Sequence, residues 1–292
     1  MIKKQSRKKA FSLIELSVVS VIIGVLIAGI MSGKRLISQS SLQGARALTK
    51  TSAIQSIPDL TLWLEPALEG SITGATSVNN LSNGDAISSW NDISGNVINV
   101  TQSSNYPTYL TSGINNLPSI NFNGTNNYLS STSQTPISAG DDTFTFVAVW
   151  SGSSVSKTIF EQNNNGTLTN GARAALVTSS INGQYGFDGE SISFKTTTYS
   201  PGSPTISIVT VDGVGTVNIY NKSNTATSGT IASATQNVTN NIFIIGAKGL
   251  SAKTEFFNGQ ISEIMVFDRE LSAIEVSIVN QYLSKKYNIT LS

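Results

Sequence analysis

Three pairs of acidic residues have a spacing that could support chemistry: Asp141-Asp142, Asp188 with Glu190, and Glu263 with Asp268. Two carboxyl groups that stand about 5–10 Å apart can hydrolyse a glycosidic bond. The chain contains no His and no Cys, which excludes the usual nucleophile–base arrangements and metal sites built on imidazole or thiolate. It also shows no evident phosphate-binding glycine loop. The composition therefore favours a protein that is not an enzyme.

Asn91, Asp92 and Asn96 form a separate group of oxygen-bearing side chains. They could supply ligands to Ca²⁺, which takes 6–8 oxygen atoms, or hydrogen bonds to a sugar. Short polar side chains of this kind also stabilise turns, and we regard that role as the more common one. Ca²⁺ is the one cofactor that the sequence suggests, and no other metal site is expected.

Glu15 is the one acid in a long apolar stretch at residues 11–31, FSLIELSVVSVIIGVLIAGIM. A membrane-spanning helix needs about 20 apolar residues, and an ionised carboxylate at its centre costs roughly 2.5–3.5 kcal/mol. Glu15 lies near the start of the stretch, where the cost is lower and the positive end of the helix dipole favours an acid. The sequence therefore predicts a local dipole interaction or a partner of opposite charge for Glu15.

A basic segment precedes the apolar stretch and contains five cations: Lys3, Lys4, Arg7, Lys8 and Lys9. Positively charged flanks stay on the cytoplasmic side of a membrane. Lys8 and Lys9, next to the apolar stretch, therefore orient the chain with its bulk outside the cytoplasmic membrane. A cleaved secretory signal and a plain membrane anchor share these features, but neither explains an acid so close behind Phe11.

The segment KKAFSLIELSVVSVIIGVLI resembles the N-terminal cleavage-and-methylation segment of type IV prepilins and pseudopilins, over roughly residues 3–32. The resemblance implies that a prepilin peptidase cuts between Ala10 and Phe11 and that the new amine of Phe11 is methylated. Glu15 is then the fifth residue of the mature chain, where the family carries Glu. The family usually has Gly where this chain has Ala10, a departure that bears on the efficiency of cleavage.

The resemblance implies a structural subunit of a type IV pilus-like filament, built from identical or homologous subunits by the pilus assembly machinery. The amine of one subunit can meet Glu15 of its neighbour, and such a pair is strong in a bundle that excludes water. The alternatives are a minor pilin or adhesin, a membrane-anchored carbohydrate-binding module, and a pseudopilin of a secretion system. The expected location is the bacterial cytoplasmic membrane for the precursor and an extracellular surface filament after assembly.

Length and charge limit the remaining choices. The 292 residues include 18 basic and 17 acidic ones, and the length allows one anchor helix and one sizeable domain. Removing the five leader cations leaves 13 basic against 17 acidic residues, which excludes the basic footprint of a nucleic-acid-binding protein. Without Cys, the domain must be stabilised by its core, which is feasible for a domain of about 200 residues.

The sequence predicts three segments: a leader at 1–10, a transmembrane and stalk helix at 11–56, and a sandwich domain at 57–292. Pro58 ends the helix because proline cannot continue a helix interior. Beyond it, short apolar runs alternate with clusters of Asn, Gly and Ser, which predicts antiparallel strands in a sandwich. The predicted strands include Leu60–Leu64, Ser119–Phe122, Thr143–Trp150, Ile206–Val211, Thr216–Tyr220 and Asn241–Gly246.

Several segments resemble, in their order, bacterial laminin-G-like domains of the concanavalin A-like superfamily, over about residues 57–290. They are DLTLWL from Asp59, ISSWNDISGN from Ile87, NLPSINFNGTNNYL from Asn116, FTFVAVW from Phe144 and FNGQISEIMVFDRELS from Phe257. The family implies two antiparallel sheets in a jelly roll with adjacent first and last strands, and sugar or calcium binding in some members. Its motif context places Trp63, Trp90 and Trp150 in the core rather than on a sugar. None of the acid pairs has the Glu-x-Asp-x-x-Glu spacing of the related hydrolases.

Ser272 followed by Glu275 predicts a capping box at the start of a final helix over 272–287. Lys285 and Lys286 favour its C-terminal end. The predicted fold class is α+β: a long N-terminal membrane and stalk helix, followed by an all-β jelly-roll sandwich with a C-terminal helix.

Overall fold

The computed structural model describes residues 13–76, 81–131, 133–140, 143–163, 173–188, 195–230, 242–249 and 252–292. The chain divides into two compact units, Met1–Ser41 and Leu42–Ser292. The second unit contains the last turns of the N-terminal helix together with all the strands. Four residues of the predicted processing region lie outside the described residues: Lys8, Lys9, Ala10 and Phe11.

Helix α1 spans Leu13–Thr51 and is followed by a short 3-10 helix, Ala53–Ser56. By length and composition it could cross a membrane, because its most apolar window has a mean hydropathy of 2.6. Pro58 follows directly and prevents further helical turns. The prediction of one long N-terminal helix is confirmed over the described residues.

The described residues form 17 strands and a second long helix. The strands are β1 Leu60–Leu64, β2 Ile72–Gly74, β3 Ile87–Trp90, β4 Val100–Thr101, β5 Thr108–Leu110, β6 Ser119–Asn123, β7 Leu129–Ser131, β8 Phe144–Gly152, β9 Lys157–Asn163, β10 Ala174–Thr178, β11 Gln184–Asp188, β12 Lys195–Thr198, β13 Thr205–Val211, β14 Thr216–Asn221, β15 Thr227–Thr230, β16 Ile242–Ile245 and β17 Asn258–Phe267. Helix α2 spans Ala273–Tyr287.

The strands form two antiparallel sheets. The first has the order β15-β14-β13-β8-β17-β6-β5, and β1 also pairs with β17. The second has the order β12-β11-β10-β9-β16-β7-β4-β3-β2. In the pairing of β1 with β17, Leu60 lies opposite Phe267 and Leu64 opposite Ile264. The first and last strands are therefore adjacent, which confirms the jelly-roll expectation.

The main core lies between the two sheets. One face of β8 points into it with the residues Phe144, Phe146, Ala148 and Trp150. On the other face of β8, Val147 and Val149 belong to a second core together with α2 and the end of α1. The first sheet is thus covered on both sides, which explains why β8 is buried along nearly its whole length. Trp63, Trp90 and Trp150 are fully buried, as their motif context predicted.

Helix α2 begins with the predicted capping box. The Ser272 hydroxyl accepts from the backbone N–H of Glu275 at 3.4 Å, and the Glu275 carboxylate accepts from the backbone N–H of Ser272 at 2.8 Å. Arg269 donates to the same carboxylate at 2.5 Å, and this hydrogen bond lowers the pKa of Glu275 to about 2. The cap determines where α2 begins. The buried face of α2 then packs on the first sheet.

Both outer strands of the first sheet contact residues of the second sheet. β15 lies against β12, with the Thr227 and Thr197 hydroxyls 3.5 Å apart. At the opposite side, the backbone N–H of Tyr109 in β5 donates to the Asp85 carbonyl at 2.8 Å. Residues 84–87 continue into β3, so this contact also links the two sheets.

Candidate functional site

The apolar surface of α1 is the largest exposed hydrophobic feature among the described residues. Every Leu, Ile, Val and Met side chain between Leu13 and Met31 is exposed. A helix that is apolar on all sides is stable only when a membrane or other proteins surround it. This part of α1 is therefore suited to the interior of a membrane or to contact with other proteins.

Glu15 lies in the first turn of α1, where the helix dipole favours an acid. Nearby hydroxyls are satisfied within the helix, because Ser17 Oγ donates to the Ile14 carbonyl at 2.8 Å and Ser20 Oγ to the Leu16 carbonyl at 2.9 Å. Polar groups bonded in this way can enter apolar surroundings at low cost. Glu15 is thus the one ionisable side chain on this surface, and its role in assembly remains a prediction.

Asp92 organises the loop after β3. Its Oδ1 accepts from the backbone N–H groups of Trp63 and Ser94, both at 2.9 Å. Its Oδ2 accepts from Ser94 Oγ at 2.8 Å and from the backbone N–H of Ile98 at 3.1 Å. Both oxygens therefore hold the loop and strand β1 together within the chain.

Asn91 and Asn96 lie beside Asp92 but bind different elements. The Asn91 amide donates to the Gly70 carbonyl at 2.8 Å, and the Asn96 amide donates to the Leu60 carbonyl at 3.0 Å. The structure brings the three predicted residues into one loop, where their contacts support the turn. Within the described residues no three His, Cys, Asp or Glu side chains form a group that could hold a metal. A Ca²⁺ site here remains a prediction.

The predicted acid pairs have separate environments where the structure describes them. Asp141-Asp142 and Glu190 lie outside the described residues. Asp188 forms an ion pair with Arg173. Glu263 forms an ion pair with Lys286, whereas Asp268 accepts from the backbone N–H of Ser138 at 2.9 Å.

A fully buried arginine, which sequence reasoning missed, lies on the second sheet. Arg173 Nε is 2.5 Å from Glu161 Oε2, and Arg173 Nη2 is 3.5 Å from Glu255 Oε2. Burial alone would lower the pKa of Arg173, but Glu161, Asp188 and Glu255 together raise it. The cluster links β9, β11 and the segment before β17, and no local sequence pattern indicates it.

A second buried charged cluster, also missed, connects α2 with the first sheet. Lys286 Nζ lies 2.8 Å from Glu263 Oε2 and 2.9 Å from Glu65 Oε1. Lys285 is exposed, as expected for a helix end, but Lys286 is buried. In the sequence, the two lysines indicated only a favourable interaction with the helix dipole at the C-terminal end of α2. That position does not reveal which of the two side chains is buried.

An open depression of about 540 Å³ lies beside the last turns of α1, within the second unit. Its lining includes Leu42, Arg46, Glu69 and Tyr109, and Arg46 Nη1 donates to Glu69 Oε1 at 2.6 Å. Burial raises the pKa of Tyr109 to about 12, so its hydroxyl stays protonated. The volume is within the range of small-ligand pockets, roughly 300–1,000 Å³.

Comparison with protein families finds two matches. A sequence profile of the concanavalin A-like lectin/glucanases superfamily, of the laminin-G type, matches residues 123–277, more than half of the chain. A profile described as the prokaryotic N-terminal methylation motif matches residues 5–31. The second match implies processing by a prepilin peptidase and fits a membrane-anchored precursor. No curated protein sequence matches the chain significantly.

Several solved structures with a similar fold come from carbohydrate-active enzymes. A GH54 α-L-arabinofuranosidase soaked with a cyclic sulfate inhibitor has a TM-score of 0.62 at 12% identity, covering 78% of this chain and 63% of that chain. Domain 4 of AbnA, a GH43 extracellular arabinanase from Geobacillus stearothermophilus, was solved in complex with arabinotriose. It has a TM-score of 0.54 at 16% identity, and the match covers 77% of this chain and 98% of that chain.

An arabinofuranosidase complexed with arabinofuranosyl-α-1,2-xylobiose has a TM-score of 0.61 at 11% identity, and the match covers 78% of this chain and 63% of that chain. The chain thus spans less than two thirds of the length of these arabinofuranosidases. At such identities the similarity shows a shared β-sandwich fold. That fold serves glycoside hydrolases as well as separate domains, so the fold alone does not decide between catalysis and binding.

Proposed function

The chain belongs to the concanavalin A-like lectin/glucanases superfamily, and from this membership and its methylation motif we propose that it is a structural subunit of a type IV pilus-like filament. The observation that carries the proposal is the exposed apolar surface of α1, which lies within the residues that match the motif. In the filament this surface packs against the same helix of neighbouring subunits. The sandwich then forms the outer coat, on the extracellular side of the cell.

Assembly depends on a charge pair between subunits. Cleavage between Ala10 and Phe11 creates an amine at the start of an apolar helix, and Glu15 of a neighbouring subunit accepts it. Removing either partner leaves a buried charge without compensation, at a cost of roughly 3–5 kcal/mol. The pair therefore sets the axial offset of the subunits more than it adds net adhesion.

The first test is to shear filaments from the cell surface and to sequence the released protein by mass spectrometry. We expect an abundant N-terminal peptide that begins at methylated Phe11. Finding the chain only in the membrane fraction and still beginning at Met1 would contradict the proposal and favour a membrane-anchored binding module. A processed chain confined to the cell envelope would instead favour a pseudopilin of a secretion system.

A second candidate function is carbohydrate binding by the sandwich, as expected of a minor pilin or adhesin. The supporting observation is the fold shared with domain 4 of AbnA, whose structure holds arabinotriose. The depression beside α1 offers the aromatic ring of Tyr109 together with the polar groups of Arg46 and Glu69. An aromatic face with flanking hydrogen-bonding groups is suited to a sugar ring.

Calorimetric titration of the detergent-solubilised full chain with arabinotriose tests this second function. Binding that is lost in Tyr109→Ala, but kept in the control Tyr106→Ala, which alters a tyrosine just before β5, would support it. We propose no hydrolysis of the sugar, because Asp188 and Glu263 are engaged with Arg173 and Lys286. Release of arabinose during the titration would contradict the non-enzymatic assignment.

A further inference from the structure

Lys286 Nζ lies between two buried carboxyl groups, Glu263 and Glu65, at 2.8 and 2.9 Å. The side chains of Lys286 and Glu65 are fully buried, and that of Glu263 is 1% exposed. Two acids against one base leave an excess negative charge, which is costly away from water. Burial raises the pKa of Glu263, with Glu65 reinforcing and Lys286 opposing the shift. Burial and the second carboxylate thus favour the protonated form of Glu263, whereas the Lys286 amine favours the ionised form.

Two hydrogen-bond donors point at one oxygen of that acid. Trp63 Nε1 donates to Glu263 Oε1 at 2.7 Å, and the Tyr282 hydroxyl donates to the same atom at 2.9 Å. Burial raises the pKa of Tyr282 well above its ordinary value, so the hydroxyl remains a donor. Donors fixed in this way stabilise the negative charge that develops on a carbonyl oxygen under nucleophilic attack.

The other oxygen of Glu263 lies on the side of the amine. Oε2 accepts from Lys286 Nζ at 2.8 Å and from the Tyr287 hydroxyl at 2.9 Å. Glu65 is fixed separately, because its oxygens accept from the backbone N–H groups of Ala67 at 3.0 Å and Leu68 at 2.8 Å. The backbone therefore fixes the Glu65 carboxyl group with its Oε1 in contact with the amine nitrogen.

We propose that Lys286 and Glu263 condense to an amide, an isopeptide cross-link that joins α2 to β17, with Glu65 as the proton acceptor. The reaction proceeds from the protonated form of Glu263: the Lys286 ammonium gives one proton to Glu65, and its nitrogen attacks the carboxyl carbon of Glu263. Oε1 carries the negative charge of the tetrahedral intermediate, facing Trp63 and Tyr282. Oε2 then leaves as water, with its own hydrogen and one from the nitrogen. One carboxylic acid and one ammonium become one amide and one water, and Glu65 ends as the neutral acid.

The surroundings favour this condensation in two ways. The reacting groups are held in contact by the packing of α2 on the first sheet, which replaces a bimolecular encounter by a fixed geometry. The product also replaces a buried ammonium and a buried acid by a neutral amide, which removes the cost of keeping charges out of water. The cross-link would tie the C-terminal helix to the last strand.

Tryptic digestion of the full chain, solubilised from membranes in detergent and denatured, gives a direct test. Trypsin cleaves after Lys253 and Arg269, which places Glu263 in the fragment 254–269. It also cleaves after Lys285 and, when its side chain is free, after Lys286. Condensation blocks cleavage after Lys286 and yields one branched peptide, 254–269 joined to 286–292, lighter by one water than its parts. Recovery of linear 254–269 and linear 287–292 alone would overturn the proposal.

Three variants separate the chemistry from a structural ion pair. Lys286→Arg and Glu65→Gln should both lose the branched peptide, whereas Lys285→Arg, which alters an exposed neighbour, should keep it. Circular dichroism and thermal melting establish that each variant is folded before digestion. A folded Glu65→Gln protein that still contains the branched peptide would overturn the mechanism with Glu65 as the acceptor.

Discussion

Two acidic side chains, Glu15 and Glu263, occupy apolar parts of this chain and define its chemistry at the scale of single residues. Glu263 has a cation within the same domain, since Lys286 lies 2.8 Å away. Glu15 stands on the exposed apolar surface of α1, and its cation in the proposed filament is the amine of a neighbouring subunit. In both cases the reason is the high free-energy cost of an ionised carboxylate that has no opposite charge beside it in a medium that excludes water.

Glu15→Ala should leave membrane insertion intact and abolish surface filaments, because the amine of each subunit would then be buried without its partner. The expected loss is roughly 3–5 kcal/mol for each subunit contact. Ser17→Ala is the matched control, since it removes a hydroxyl that bonds only within the helix. Quantifying sheared filaments and membrane-bound precursor in parallel measures both effects. Normal filament yield from Glu15→Ala would refute the role of the pair.

At the scale of secondary structure, the backbone after β16 passes so close to β6 that only glycine fits at position 246. Gly246 follows β16 with a φ of +87°, a conformation that favours glycine. A Cβ atom at this position would also overlap the ring of Phe122 in β6. Gly246 therefore lets the two sheets approach each other at the main core.

Gly246→Ala should destabilise the domain by about 2–5 kcal/mol, which combines left-handed backbone strain with overpacking. Gly202→Ala isolates the strain alone, because Gly202 has a φ of +75° with nothing within 4 Å of an added Cβ. We expect about 1–2 kcal/mol for that control. Urea unfolding followed by tryptophan fluorescence measures both, since all three tryptophans are buried. Equal losses in the two variants would show that the Phe122 ring adjusts freely.

Elements with strong local patterns were predictable from the sequence. β1 has the predicted bounds, Leu60–Leu64, and α2 begins after the predicted cap at Ser272. The cluster around Lys286 was not predictable, because it joins distant parts of the chain: Trp63 and Glu263, for example, are 200 residues apart. Periodicity and capping act over a few residues, whereas burial of a charge depends on which strands become neighbours. Asn91, Asp92 and Asn96 lie in one loop, and their role as ligands remains a prediction.

At the scale of the molecule, the sandwich unit includes part of the N-terminal helix. The unit begins at Leu42, and Ala45, Thr49 and Ile54 are buried within it. Thr49 Oγ1 also accepts from Lys286 Nζ at 2.8 Å. The last turns of α1 are therefore as much part of this core as the strands are.

A fragment that starts at Leu42 should fold to the stability of a longer one that starts at Ile37, because Ile37 is exposed. A fragment that starts at Asp59 should be less stable by several kcal/mol, since it loses Ile54 and the Thr49 hydrogen bond. Burial of one isoleucine alone contributes about 1.5–3 kcal/mol. Thermal melting of the three fragments measures the differences. Equal melting temperatures would show that the end of α1 and the 3-10 helix after it do not contribute to the core.

The pairing of β5 with residues 84–87 affects how closely packed copies of the domain interact. Uncovered outer strands present rows of amides that template cross-β growth between copies. At β5, in the part of the chain that the structure describes, the backbone N–H of Tyr109 instead donates to the Asp85 carbonyl, and the Tyr109 carbonyl accepts from the backbone N–H of Gly84, both within one copy. Fewer amides of β5 are then free to pair with a neighbouring domain, although the strand itself carries no charged side chain.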